Sequence, residues 1–559
     1  MMLLGNINAI PFRRRFGGGG GTPFPFIPGM IARYSGAGLT NEDMSKNPVW
    51  KDLMGNGYDL QMKNFLWGGM SGVGGYKLNW GDSSIWVNYI TQGERGTGEV
   101  TDNIIHITSV KLNYVLFETR ASLKSVEYKV LIKGLTDDIY LRYGVFNDGK
   151  ELWTEIKNDG IYTLPSYDYD SKFNMKWKVM SQTYPIDCNI TIEQLPLYPG
   201  ALVFDGVDDY GICDNFPILT KEKGYTVVAL RQWIEEKNSI TALVSNSKNW
   251  NKDGAFVFEY NNLENNYPNL EISFGNNTNL GREKSSFTYQ TSKLYNGKEI
   301  ESGEFLGSDK LIVAKANENL SPCSNVAIWE IVILDHDATE EELTKIKDYF
   351  VKTYPWLFPD QGWTVTGKTN EDEDRATIAN ITGNGNDFVL SNFGFAEGSG
   401  YNEEGEYAGY LVTDGVDDRV VSRSFTLNKD WTIVGNWKML QPEANKLSGI
   451  VKQNSLFIYN YVDGLNISIN DAWNFFKLKD IRSVNAICSD GRIYLNDWTE
   501  IIDSKQQTVN ESVGALVIGI LGNVYTSLAF KNLGIYNNQI LSKDDCIKAY
   551  NYLQTLKAK

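Results

Sequence analysis

ALVFDGVDDYGICDNF at 201–216 and YLVTDGVDDRVVSRSF at 410–425 are two copies of one element. Eight of the sixteen positions are identical, and DGVDD is unbroken in both, at Asp205–Asp209 and Asp414–Asp418. A second element precedes each copy. TNED at 40–43 and GNGYDLQMKNF at 55–65 return as TNED at 369–372 and GNGNDFVLSNF at 383–393. Fixed internal similarity marks a repeated structural unit. The spacing differs between the copies: 150 residues separate Gly55 from Asp205, but 31 separate Gly383 from Asp414. About 119 extra residues therefore sit inside the first copy, the size of an inserted small domain.

The surrounding sequence reads as strands. Residues 101–196 alternate with period two through IIHITSVKLNYVLFETR, VEYKVLIKGL and DIYLRYGVF, with NDGK and NDGI as turns, which predicts an inserted β-sandwich. Residues 197–358 carry many short strands ending in VAIWEIVIL. The period then changes to helical in ATEEELTKIKDYFVKTYP, with Thr339 as N-cap, Glu342 completing a capping box, and Pro355 as the stop. The second copy closes the same way, with Ser542 as N-cap of KDDCIKAYNYLQT. The expected fold is all-β: two jelly rolls each closed by a short helix, plus the inserted sandwich and an extended N-terminal arm. The divisions read from the chain are an arm at 1–35, the first TNED/GNG/NF element at 36–100, the insert at 101–196, the first jelly roll at 197–358, and the second element and jelly roll at 359–559.

FDGVDDY, VAIWEIVIL and the Thr- or Ser-capped helix after it resemble the concanavalin A-like, laminin-G-like jelly rolls over about two-thirds of the chain. More narrowly, IARYSGAGLTNEDMSKNPVWKDLMGNGYDLQMKNF and ITIEQLPLYPGALVFDGVDDY resemble virion proteins of crAss-like tailed phages of Bacteroidales. That resemblance implies a structural virion protein, a head fibre or capsid-decorating component, assembled in the host cytoplasm. It implies other virion proteins of capsid or tail as partners, further copies of the same chain with a trimer preferred, and contact with host glycans. The rival readings are a bacterial surface carbohydrate-binding protein and a polysaccharide depolymerase tail spike.

Composition narrows the chemistry. With 53 Lys and Arg against 69 Asp and Glu, the net charge is −16, which argues against a nucleic-acid binder. The N-terminal apolar run is shorter than a membrane span, and its Arg cluster follows rather than precedes it, unlike a secretory signal. Arg13, Arg14, Arg15 and Phe16, beside the glycines Gly17–Gly21, are the expected particle-docking segment, ordered on a partner. The five cysteines, Cys188, Cys213, Cys323, Cys488 and Cys546, form no CxxC pair and read as free thiols.

Asp205, Asp208, Asp209, Asp414, Asp417 and Asp418 admit two readings. One is a Ca²⁺ site, since that ion takes hard oxygen ligands. The other, preferred, is a strand-end turn in which Asp and Gly supply the dihedrals and cap backbone donors. GNG reads as a tight turn, lacking the context of a phosphate loop. Glycan contact by ring stacking has Trp233, Trp250, Tyr260, Trp437, Tyr459 and Trp473 as candidates, with core burial the preferred reading for any single one. No run like the E-x-D-x-x-E of a glycoside hydrolase is found in a plausible strand, and EDED at 371–374 lies in a polar stretch, so no enzyme activity and no catalytic residue is expected.

Overall fold

The computed structural model describes residues 23–558 apart from 89–94, 102, 120–127, 148–149, 165–174, 236–240, 255, 260–284, 301–305, 320–322, 441–447, 454–455, 462–463, 470–471, 477–483, 496–497, 499, 503–510 and 522–523. The docking segment Arg13–Phe16 and the glycan candidate Tyr260 lie outside these residues. The chain is all-β, built of antiparallel sheets with, among the described residues, three α-helices: α1 (Asn41–Lys46), α2 (Glu340–Thr353) and α3 (Lys543–Thr555).

Each repeat is a pair of facing sheets. The first unit has an eight-stranded and a six-stranded sheet, the second two eight-stranded sheets, and two five-stranded sheets form the insert. The pairings of the two repeats correspond. Gly72–Val73 pairs with Leu202–Asp205 as Gly400–Asn402 pairs with Tyr410–Asp414. Met30–Ser35 lies along Asn325–Leu334 as Gln361–Thr364 lies along Ser527–Asn537.

Two boundaries differ from the sequence reading. Met30–Ser35 is a full strand of the first unit, Ile27 is buried, and the Phe24 ring meets Tyr349 edge-on at 4.7 Å. Residues 23–35 therefore belong to the folded body and not to an arm; their partner strand is some 300 positions away, so nothing local announces it. Within 36–100, the strands Trp86–Asn88 and Gly96–Val100 belong to the insert, pairing with Tyr114–Thr119 and Ile104–Val110. The TNED/GNG/NF residues belong instead to the first unit, whose six-stranded sheet includes Leu60–Lys63.

NVAIWEIVIL (Asn325–Leu334) is buried at every position after the first because both of its faces are covered. Ile328, Ile331 and Ile333 point into the sandwich core. Trp329, Val332 and Leu334 point outward, into a second core shared with α2, α3, the Pro355–Leu357 turn and the sheet of the other repeat. A β-bulge opposite Leu230 and Arg231 skips Trp329 in the pairing, so Trp329 and Glu330 both face outward. Ser527–Asn537 carries the same bulge, skipping Lys531.

The helices form as their caps dictate. Thr339 and Glu342 make the full capping box of α2, and Ser542 Oγ accepts the Asp545 N–H at 3.1 Å to start α3. Ile346, Tyr349 and Phe350 of α2 and Ala549 and Leu553 of α3 are buried in the shared core. Each large apolar side chain so buried contributes about 1.5–3 kcal/mol before entropy is charged against it. Leu131 and Ile161 bring the insert into the same cluster. Polar contacts cross between the units as well: Lys129 Nζ reaches Asn551 Oδ1 at 3.2 Å, Gln232 Nε2 donates to Thr555 Oγ1 at 2.8 Å, and Ser286 and Tyr552 hydroxyls meet at 3.0 Å.

Candidate functional site

The two DGVDD turns are superposable networks. Asp205 Oδ1 accepts the Val207 N–H and Asp414 Oδ1 the Val416 N–H, both at 2.7 Å. Asp209 Oδ2 accepts the Asp205 N–H at 3.1 Å, and Asp418 Oδ2 the Asp414 N–H at 2.8 Å. Gly206 and Gly415 have φ of +74° and +75°, and a Cβ there would come within 3.0 Å and 2.9 Å of the backbone nitrogens of Asn325 and Ser527. Only glycine turns the chain so tightly against its neighbour.

The other duplicated motif locks onto these turns. Asn64 and Asn392, both at positive φ, donate to the carbonyls of Asp208 and Asp417 at 3.0 Å. Asn41 and Asn370 accept the backbone N–H groups of Val73 and Tyr401 at 2.7 and 2.8 Å. All four GNG glycines have positive φ with nothing within 4 Å of a Cβ, so they serve turn geometry and not close packing. The repeated polar motifs are thus clasps that hold the two sheets of each sandwich in register.

The carboxylates nevertheless carry a charge problem. The ligand oxygens of Asp205, Asp208 and Asp209 lie within 4.8 Å of one another, as do those of Asp414, Asp417 and Asp418. Burial, and then the neighbouring carboxylates, push Asp209 up to about 7 and Asp418 up to about 6, against the stabilising backbone N–H bonds. Ser399 Oγ donates to Asp418 Oδ1 at 3.1 Å, whereas Asp209 Oδ1 is buried without a hydrogen bond. As a Ca²⁺ site each triad has the right donor type. It falls short in number, since two of its oxygens already accept backbone N–H groups and the ion takes roughly six to eight. Turn formation accounts for the residues more fully.

The raised values fix a pH dependence. A carboxyl with a folded pKa above its unfolded one holds its proton longer in the folded state, so the contribution of these two groups to stability is greatest below about 4 and is lost as pH rises toward about 7. The double variant Asp209→Asn/Asp418→Asn is expected to flatten that fall. Melting temperatures from pH 4 to 8 on both proteins would check it, and parallel curves would refute the assignment.

The aromatic candidates divide. Trp437 is 1% exposed in the core of the second sandwich and is no sugar platform; its inward position on the bulged strand Trp431–Met439 decides this. Trp233 packs partly buried on the first core, and its indole N–H donates to Glu259 at 2.7 Å. Trp250, Tyr459 and Trp473 sit in the strands Val244–Gly254, Leu456–Tyr461 and Ala472–Phe476, with side chains outside the described residues. Sequence reading missed Glu259 itself, a fully buried carboxylate bound by Arg231, Trp233, Thr288 and Tyr295, because EYNNLENN around it reads as solvent-facing.

No family model and no curated protein matches the sequence. Among solved structures, Trypanosoma rangeli sialidase in complex with sialic acid is 9% identical, over 82% of this chain and 83% of that one, with a TM-score of 0.22. The binding domain of botulinum neurotoxin DC in complex with SialylT is 10% identical, over 58% of this chain and 87% of that one, with a TM-score of 0.19. At these scores neither likeness bears on what this chain does.

Proposed function

We propose that the chain is a structural, non-catalytic virion protein of a tailed phage, a head fibre or capsid-decorating component that docks through residues 1–22 and presents its sandwiches outward, where they contact host glycans. The observation that best supports this is the shared core: α2, α3 and outer sheet faces from both repeats, with side chains of the insert, bury one another, making a stiff body suited to bearing load and display. The buried carboxylates support the non-catalytic part. Glu259 and Glu330 are each held by three or more side-chain donors, Glu330 by Arg33, Ser35, Tyr349 and Tyr354. A general acid or nucleophile needs a lone pair or proton aimed at substrate.

The test follows the corrected boundary. Deleting residues 2–22 is expected to leave the melting temperature unchanged and to abolish incorporation into particles; incorporation at the normal level would end the docking proposal. Host polysaccharide incubated with the full chain is expected to yield no new reducing ends. Release that disappears on replacing one Asp or Glu would establish the depolymerase reading instead.

A further inference from the structure

A cavity of about 450 Å³ opens where the insert, the first repeat and the second repeat meet. Four lysines line it: Lys77 and Lys129 from the insert side, Lys531 and Lys557 from the second repeat. Among the described residues no carboxylate lines it, in a chain whose net charge is −16. One wall is apolar, made by the half-buried Leu195, Pro196, Leu197 and Ile234, with Tyr128 and Tyr198 buried behind it. The floor carries the amides of Asn551 and Gln554 and the hydroxyl of Thr555, from the last turn of α3.

The bland reading is that lysines gather at a helix C-terminus. That end carries about half a negative charge, against four ammonium groups. The repeat supplies a second, independent observation. Lys531 occupies the bulge position that Trp329 occupies in the first copy. There Trp329 is buried and its indole N–H donates to the Pro199 carbonyl at 2.9 Å, plugging the corresponding surface. In the second copy the same outward-aimed position carries an ammonium, which lies 5.3 Å from the Tyr410 ring and lines the open cavity. A bulge re-aims a side chain, and here it aims a cation into a cavity.

We propose that this junction cavity binds an acidic monosaccharide unit, its carboxylate on Lys531 and Lys557, its ring hydroxyls on Asn551 and Gln554, and its apolar face on the wall of Leu195, Pro196 and Ile234. The volume suits a ligand of that size, and carboxylate–ammonium contacts are the stronger class of hydrogen bond. The apolar wall favours a ring over a bare inorganic anion. The cavity stands whether or not the chain is a virion component, so its failure and the failure of docking are separate results.

Calorimetric titration of the full chain with glucuronate, glucose and inorganic phosphate tests it. Glucuronate is expected to bind, glucose not, and phosphate more weakly than glucuronate. Lys531→Ala is expected to weaken glucuronate roughly tenfold, the loss of one charge-assisted contact, while Lys531→Arg retains it. Lys557→Ala, at an exposed position near the chain end, gives the same direction should Lys531→Ala disturb the fold. Absence of glucuronate binding, equal binding of glucose, tighter binding of phosphate, or affinity unmoved by both alanine variants would each overturn the proposal.

Discussion

Glu259→Ala is expected to cost about 3–5 kcal/mol of stability, because it strands a buried guanidinium. Glu259 is 0% exposed and accepts from Arg231 Nε at 2.8 Å and from Arg231 Nη2, from Trp233 Nε1 at 2.7 Å, Thr288 Oγ1 at 2.9 Å and Tyr295 OH at 3.0 Å. Arg231 is itself 2% exposed. Removing the carboxylate leaves these donors facing an apolar space, and the loss is a large share of the roughly 5–15 kcal/mol that holds a typical domain folded. Glu259→Gln restores an acceptor but not the charge, and should fall between. Chemical denaturation monitored by tryptophan fluorescence measures both. A cost below about 1 kcal/mol for the alanine variant, the worth of a surface pair, would mean the carboxylate is not where the network requires it.

Trp356→Ala should have the second large effect, of a different kind. Trp356 lies in the Pro355–Leu357 turn between the repeats, 5% exposed, with Lys548 of α3 4.2 Å above its ring and its carbonyl accepting the Tyr536 hydroxyl at 2.8 Å. Truncation is expected to remove about 3–5 kcal/mol, drawn from the contact between units more than from either sandwich. Calorimetry of the wild-type chain should then show one cooperative transition, and of the variant two. For the same reason a fragment beginning at residue 360 is expected to be less stable than one beginning at Pro355. A single unshifted transition in Trp356→Ala would show that the shared core does not couple the repeats.

These two sites mark what could be read from sequence. The repeat, the all-β class and both helix starts were legible, since DGVDD, Thr339-x-x-Glu342 and Ser542 are local signals with local causes. The shared core was not. An apolar run such as VAIWEIVIL is compatible with one buried face or two, and which holds depends on what packs outside it. Trp437 stood between two readings for a related reason: an aromatic on a strand faces in or out according to register, and a bulge shifts that register by one residue. Glu259 was hidden by polar neighbours, and Met30–Ser35 by the distance to its partner strand. Lys531 had a visible signal, because aligning NVAIWEIVIL with SLAFKNLGIY sets Lys531 against Trp329 and Asn532 against Glu330.

The place where the insert joins the first repeat has a consequence for how such chains change. The chain departs after Gly72–Val73 and returns into Leu202–Asp205, two strands hydrogen-bonded side by side, and Gly74, Gly75, Leu197 and Tyr198 tie exit to entry by backbone bonds of 2.8 Å. In the second repeat the same two strands are bridged by the few residues between Asn402 and Tyr410. The gap is closed either way, so the guest domain makes little demand on its host's ladder. The junction thus works as a socket: the host sandwich keeps the same strand pair whether a short loop or a whole domain is plugged into it.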